Sequence, residues 1–438
     1  MRFSDSIVAL SSGKLPAGVA VVRLSGSRTR FAVETILGAS IPEREAVLRR
    51  LRQPDGSLID TGLAIFFAGP ASFTGEDVAE FQVHGGKAVV SALLRTLTAI
   101  DGIRHAEPGE FTRRAFLNGR LDLVETEALA DLINAETESQ RRFALLNASG
   151  AQSELYDGWR RRLIHARAMI EAEIDFADED DIPGSVSDTV WSDMRKLSNE
   201  IAGHVAGFRA GEIIREGFDV VIVGAPNAGK SSLFNALARR EAAIVSDEPG
   251  TTRDLLEVAL DLHGLKVRLT DTAGLREQAG TVEGIGIRRA RDRAKTADLL
   301  VVLQDLTDGA PDLELPAASR QLRVGTKLDL LAEVTDRSEF DLLVSARTGE
   351  GLGQLLARLG ELAEEAAGGS GSLLPSRLRH VELLDESKAF IDRALSQRDL
   401  DLQAEDLRLA GDLLGRIVGA VDVEDLLDVI FSQFCIGK

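Results

Sequence analysis

Cysteine is nearly missing from this 438-residue chain, with Cys435 the single instance. A lone cysteine excludes a disulfide within the chain and, with no charged, apolar, small-residue leader at the N-terminus, points to a cytoplasmic protein. Long apolar runs are missing as well. None approaches the roughly 18 to 20 residues that a membrane-spanning helix requires, so no membrane partner is expected. Histidine is scarce, six in all and scattered, which suggests no metal cluster. Basic residues are outnumbered, with 51 Lys and Arg against 70 Asp and Glu and a net charge of −19. That balance opposes unspecific attraction to a polyanion. It leaves a specific RNA to places where arginines gather, as at Arg113 with Arg114 or at Arg160, Arg161 and Arg162. Solvated surface is the plainer reading of both groups.

Apolar residues make up 44% and charged residues 28%, the balance of a folded globular protein. The length exceeds what one hydrophobic core fills, about 250 to 300 residues, so two or three domains are expected. The first 100 or so residues mix short apolar runs (GVAVVRLSG, GLAIFFAGP, DVAEFQVHGG) with Gly, Pro and Ser, the pattern of strands and turns. This predicts an α+β domain over residues 1–118. Residues 119–215 turn to 3.6-residue periodicity, as in LVETEALADLINAETESQRRFALLNA, and predict helices. The acidic break DFADEDDIPG reads as a solvated loop, since it lacks histidine and the spacing of paired metal ligands. Residues 216–370 alternate strands and helices and predict a mostly parallel, doubly wound sheet, with LEVALDL and KVRLTDTAG flanking a His-Gly turn. After the flexible run GGSGS, residues 371–438 return to helical periodicity. The expected arrangement is an α/β domain inserted into a discontinuous α-helical domain, because domain termini often lie close together. No internal repeats occur.

Chemistry is written most clearly after the run VVIVG. There GAPNAGKS, residues 224–231, fits G-x-x-x-x-G-K-[ST] between a strand and a helix. Its glycines let backbone N–H groups face phosphates, Lys230 offers a point charge to the β and γ phosphates, and the Ser231 hydroxyl suits Mg²⁺. Downstream, DTAG (Asp271, Thr272, Ala273, Gly274) ends a strand, where an aspartate holds magnesium through water and a glycine N–H meets the γ-phosphate. In TKLD, Thr326 to Asp329, the carboxylate of Asp329 accepts from guanine N1–H and its 2-amino group, which adenine does not offer. VSARTGEGL, with Ser345 and Ala346, supplies backbone over the base edge. The order is that of a Ras-like P-loop GTPase domain, with GTP favoured over ATP. The glutamine that positions water in Ras-type enzymes is replaced by Leu275, so another group must orient it. By its residues alone, Glu283 in REQAGTVEGIGI reads as part of an acidic surface loop.

GAPNAGKSSLFNALARREAAIVSDEPGTTRD followed by DTAGLRE resembles the GTPase domain of the tRNA-uridine-modifying GTPase family MnmE, also called TrmE. SFTGEDVAEFQVHGG, AEPGEFTRRAFLNGRLDL and the ending FCIGK resemble the rest of that family, so the likeness spans the chain. The resemblance implies nucleotide contacts from Asn227, Ala228, Gly229, Lys230, Ser231 and Ser232. It implies further contacts from Ser246, Asp247, Glu248, Pro249, Gly250, Thr251 and Thr252, from Asp271, Thr272, Ala273 and Gly274, and from Thr326, Lys327, Asp329, Ser345 and Ala346. It places Mg²⁺ on Ser231 and Thr252, and K⁺ on Asn227, Ser246, Glu248 and Thr251, where an arginine finger would otherwise act. Glu283 then orients the water once two GTPase domains meet. The family usually has asparagine where Thr326 stands. Threonine lacks the amide donor that ties the base loop to the phosphate loop, so weaker nucleotide binding is expected.

Outside the GTPase domain the residues say less on their own. Glu110 caps a helix start after Pro108, FTRRAFLNG reads as an amphipathic helix ended by glycine, and His84 reads as structural. The resemblance makes this domain a dimerising holder of 5-formyl- or methylene-tetrahydrofolate, contacted by Arg23, Glu80, Arg120 and Lys438. Arginines suit the glutamate-tail carboxylates and Glu80 suits donors on the pterin. Arg120 stands where lysine is common, and SSGKLPAG before the first strand departs from the family pattern. Cys435 reads either as a buried, inert thiol or, through the resemblance, as a catalytic group beside the folate. The implied activity is K⁺-dependent GTP hydrolysis by a homodimer. With an FAD-dependent partner subunit, in a heterotetramer, it adds an aminomethyl or carboxymethylaminomethyl group to the wobble uridine of certain tRNAs. A ribosome-assembly or signalling GTPase that acts only as a binding switch is the alternative.

Overall fold

A computed structural model describes residues 3–175, 186–240, 242–244, 257–271, 295–308, 320–331, 339–368 and 373–421, together with 427, 430, 431, 434 and 437. Near the N-terminus, period-two alternation forms β1 (Ser6–Leu10), β2 (Ala17–Ser25), β3 (Val47–Arg52), β4 (Leu58–Phe67), β5 (Val78–Gly85) and β6 (Ile103–His105). They make one sheet in the order β3-β4-β5-β2-β1-β6, antiparallel except where β6 joins β1. Val8, Val22, Leu24 and Phe81 bury one face against α1 (Thr29–Leu37) and α2 (Lys87–Thr98). On the other face Ile7 and Ala9 meet Ala106 and Phe111, the latter from α3 (Glu110–Leu117).

Arg114, expected on the solvated surface, is fully buried. The i,i+4 spacing of α3 sets Glu110 beside it at 3.0 Å, and Asp5 and Glu76 pair with it at 2.8 and 3.3 Å. Charge neutralisation is the reason: a buried guanidinium is tolerable where carboxylates from two loops and its own helix surround it. Glu110 also accepts from the Glu107 N–H at 3.0 Å, which begins the helix as the sequence suggests.

The helical stretch breaks into α4 (Leu123–Asn134), α5 (Glu138–Ala148), α6 (Ala151–Asp175), α7 (Val186–Ala206) and α8 (Phe208–Glu216). Two capping boxes set the first starts. Asp122 accepts from the Glu125 N–H while Glu125 accepts from the Asp122 N–H, at 2.8 and 2.9 Å. Gln140 accepts from the Thr137 N–H at 3.1 Å. The acidic break expected as a loop lies outside the described residues apart from Asp175, the last residue of α6.

The second sheet comprises β7 (Phe218–Gly224), β8 (Glu257–Leu262), β9 (Leu265–Asp271), β10 (Leu299–Asp305), β11 (Gln321–Thr326) and β12 (Leu342–Leu343). Its order is β12-β11-β10-β7-β9-β8, parallel except for β8, which pairs antiparallel with β9. The turn between β8 and β9 is His263-Gly264, both at positive φ, as a two-residue hairpin requires. Helix α9 (Lys230–Ala238) follows β7, and α10 (Leu352–Ala367), α11 (Leu378–Ser396) and α12 (Leu400–Val418) follow the sheet. Val220, Ile222, Val267 and Leu303 bury one face with Leu233, Phe234, Leu355 and Leu359, while Val221, Val223 and Leu300 bury the other. This is the α/β fold with its Ras-like strand order; the chain also has an α+β domain and helices.

By internal contact the chain divides into two units, one of residues 1–130, 147–183 and 397–438, the other of residues 131–146 and 184–396. Helices distant in sequence pair inside each: α6 with α12 in the first, α7 with α11 in the second. Among the described residues no helix is long and apolar enough to cross a membrane.

Candidate functional site

Five parallel strands of the second unit point their C-terminal ends to one edge, where open α/β sheets collect ligands. Strand β7 ends there at Gly224. A Cβ on Gly224 would stand 2.7 Å from the Leu303 carbonyl oxygen, so only glycine lets the chain turn this close to β10. The loop that follows holds Asn227 at φ 65, a left-handed conformation that asparagine tolerates, and Gly229 at φ 87. Lys230 then opens α9, so the first N–H groups of that helix face the loop that should hold phosphates. Its ammonium donates to the carbonyls of Gly224 and Ala225 at 2.9 and 2.7 Å, which holds it inside the loop. Asn227 is exposed, Ala228 is buried, and Ser232 is exposed on the first turn of the helix.

Asp271, the last residue of β9, accepts from the Ser231 hydroxyl at 3.0 Å. One hydroxyl and one carboxylate side by side form a hard oxygen set that fits Mg²⁺, an ion usually held by one or two protein oxygens plus phosphates and water. Among the described residues no group of three or more His, Cys, Asp or Glu could hold a metal ion.

The base loop is tied to the phosphate loop after all. The Thr326 hydroxyl donates to the Ala228 carbonyl at 2.9 Å, with the Gln304 carbonyl at 3.1 Å as its other acceptor. Threonine thus supplies by hydroxyl the link that its lost amide was expected to forfeit, and the weaker binding expected from the sequence loses its stated cause. Lys327, at φ 61, pairs with Asp305 at 2.5 Å. Burial raises the Asp305 carboxyl, but hydrogen bonds from Lys327 and Thr307 outweigh this and leave its pKa lowered. Asp329 accepts from the buried Ser345 hydroxyl at 2.7 Å and has Arg347 at 3.8 Å, with Ala346 between them in sequence. Sequence reasoning passed over Asp305, although it closes the apolar run LLVVLQD at the ligand-bearing edge of the sheet. Ser246, Asp247, Glu248, Pro249, Gly250, Thr251, Thr252, Thr272, Ala273, Gly274, Leu275 and Glu283 lie outside the described residues.

The first unit brings together most of the second predicted set. Arg23 and Glu80 face each other across β2 and β5 and form an ion pair at 2.9 Å. The sequence reading gives the arginine to tail carboxylates and the glutamate to pterin donors; here the two side chains neutralise one another. The Arg23 guanidinium also lies over the rings of Phe73 and Phe111, 5.4 and 5.8 Å from their centroids. Phe73 belongs to the loop at residues 72–76, which Asn118 fastens by donating to the Thr74 carbonyl at 2.7 Å. In the same loop Gly75, at φ +78, leaves room for the stem of Arg120, whose Cγ would lie 3.3 Å from a Cβ there. Arg120 itself is exposed. Neither aromatic was singled out from sequence; Phe73 sits within the FTGED motif. His84 pairs with Asp60 at 2.9 Å. Cys435 and Lys438 lie outside the described residues, but Gly437 between them is described, and its carbonyl accepts from the Ser11 hydroxyl at 2.7 Å.

Comparison with known proteins covers both units. The family described as MnmE helical domain matches residues 123–435, and that described as GTP-binding protein TrmE N-terminus matches residues 6–120. The tRNA modification GTPase MnmE of Mesorhizobium japonicum is 68% identical over 443 residues, covering 100% of each chain. Proteins of the same name are 53% identical in a Chelativorans species, covering 99% of this chain and 98% of that one, and 55% identical in Sinorhizobium medicae, covering 100% of each.

Proposed function

The chain belongs to the MnmE family of tRNA modification GTPases, and from that premise we propose that its GTP turnover depends on K⁺ and drives folate-dependent modification of a wobble uridine. It is a GTP hydrolase that acts in tRNA modification, with GTP and Mg²⁺ at the edge of the second sheet. The observation that carries the reading is the tie of Thr326 to Ala228, since it joins the loop for the base to the loop for the phosphates.

In this reading Lys230 turns from the Gly224 and Ala225 carbonyls to the β and γ phosphates, and α9 directs its N–H groups at them. Ser231 and Thr252 would hold Mg²⁺, which when bound would supply positive charge to the phosphates. Asp329 accepts from the guanine edge and Ser345 keeps that carboxylate in place. Asn227, Ser246, Glu248 and Thr251 would hold K⁺, which when bound would supply the charge that an arginine finger gives elsewhere. Glu283 accepts from the attacking water and orients it. In the first unit, Arg23 beside Glu80 addresses the pterin of a reduced folate and Arg120 its tail carboxylates. Cys435 and Lys438 complete that site. The protein acts as a homodimer on tRNA with an FAD-dependent partner subunit.

GTP hydrolysis in KCl and NaCl at equal ionic strength, repeated with Glu283→Ala, tests the reading. A marked preference for K⁺, lost together with activity in the variant, is the expected result. Equal rates in the two salts, or an unaffected variant, would refute the cation-dependent mechanism.

A further inference from the structure

We infer that Ser11 is a positioning residue that holds the C-terminal tail against the first sheet, beside the strand that carries Arg23. Its hydroxyl donates to the Gly437 carbonyl at 2.7 Å across 426 positions of sequence. Ser11 is itself fixed. Its N–H donates to the Val21 carbonyl at 2.7 Å, and the Ser12 hydroxyl accepts from the Val21 N–H at 3.1 Å, so the segment after β1 stays zipped to β2. In that register Leu10 faces Val22 and Ala9 faces Arg23.

The tail meets this point closely. Gly437 has φ +101, and a Cβ there would stand 2.2 Å from the Leu10 carbonyl oxygen, a contact no side chain permits. Upstream, Ile430, Phe431 and Phe434 are buried in a cluster with Leu123 and Ala130, packed by Phe116. Gly109, at φ +69, lets the backbone at Phe431 pass, since a Cβ there would be 2.4 Å from its carbonyl oxygen. The tail therefore has two attachments of different kind. The apolar cluster holds it without direction, and the Ser11 bond fixes Gly437.

Ser11 begins SSGKLPAG, in the segment that joins β1 to β2. In sequence, Lys438 is one residue from Gly437 and Cys435 two. The consequence for folate rests on the reading above; the attachment itself does not.

The carbonyl that Ser11 holds belongs to the peptide bond that carboxypeptidase B must attack to release Lys438. Release of one lysine from the full-length protein, followed by mass spectrometry, therefore reads the contact directly. Ser11→Ala is expected to speed release about fivefold, the effect of losing one hydrogen bond of ordinary strength. Ser11→Thr, which keeps the hydroxyl, should stay near the wild-type rate. Release from Ser11→Ala at the wild-type rate would overturn the proposal, and so would equal acceleration by Ser11→Thr. Calorimetric titration with 5-formyl-tetrahydrofolate separates the two ideas. If the wild type binds none, the folate reading falls while the release rates still decide the role of Ser11.

Discussion

Thr326 carries more of the nucleotide site than its small side chain suggests, because a hydroxyl can do at close range what an amide does across a longer one. Buried, it reaches the Ala228 carbonyl, and that single donor joins the two loops assigned above, by proposal, to opposite ends of a nucleotide. Thr326→Val keeps the shape and removes the donor, leaving a buried carbonyl unpaired at a cost of about 1 to 3 kcal/mol. Titration of a fluorescent GDP analogue should show Kd raised by roughly five- to a hundredfold, the range that this cost sets at 1.4 kcal/mol per factor of ten. An unchanged Kd would mean that the tie does not serve binding. Arg114 gives the contrasting lesson. Its neighbour Arg113 is half-buried while Arg114 is sealed; Glu110 at i,i+4 is a local hint, but Asp5, the other close partner, is 109 residues away.

Among the elements, those that rest on local chemistry were legible. The phosphate loop, the His263-Gly264 hairpin and the helix begun by Glu110 each depend on residues within a few positions of one another, and each stands where the pattern puts it. The division of LVETEALADLINAETESQRRFALLNA into α4 and α5 was equally local but went unread, although T-E-S-Q from Thr137 to Gln140 has the spacing of a capping box. Longer-range facts were closed to the sequence: the ion pair of Arg23 with Glu80 depends on strand register, and the Ser11 contact on where the tail ends. Helix α12 shows what a legible start contributes. Asp399 accepts from the N–H groups of Asp401 and Leu402 at 3.0 and 3.3 Å, and the helix it opens packs along α6. Asp399→Ala should lower the stability of the first unit by about 1 kcal/mol, seen as a lower urea midpoint with unchanged slope. No shift would mean that the helix start frays without consequence.

At the scale of the whole molecule, the two units differ in how acid reaches them. In the second, burial and the nearby charge of His380 pull the pKa of His204 from 6.5 down to about 4. An unfolded chain protonates this histidine near pH 6.5, while the folded one resists until about pH 4, so proton uptake favours unfolding throughout that interval. In the first unit the balance runs the other way. Burial raises the carboxyls of Asp5 and Glu110, yet bonds from Arg104 and Arg114 overcome it and hold both below their ordinary values of 3.8 and 4.5. Their contribution is complete above those values and is lost only as pH falls through the lowered ones. Thermal unfolding from pH 7 to pH 4.5 should therefore show a transition of the second unit moving down while that of the first holds. His204→Leu, which carries no proton to take up, should flatten the falling one. Two transitions that shift together, or a pH dependence that survives in His204→Leu, would show that this buried histidine does not set the acid response of its unit.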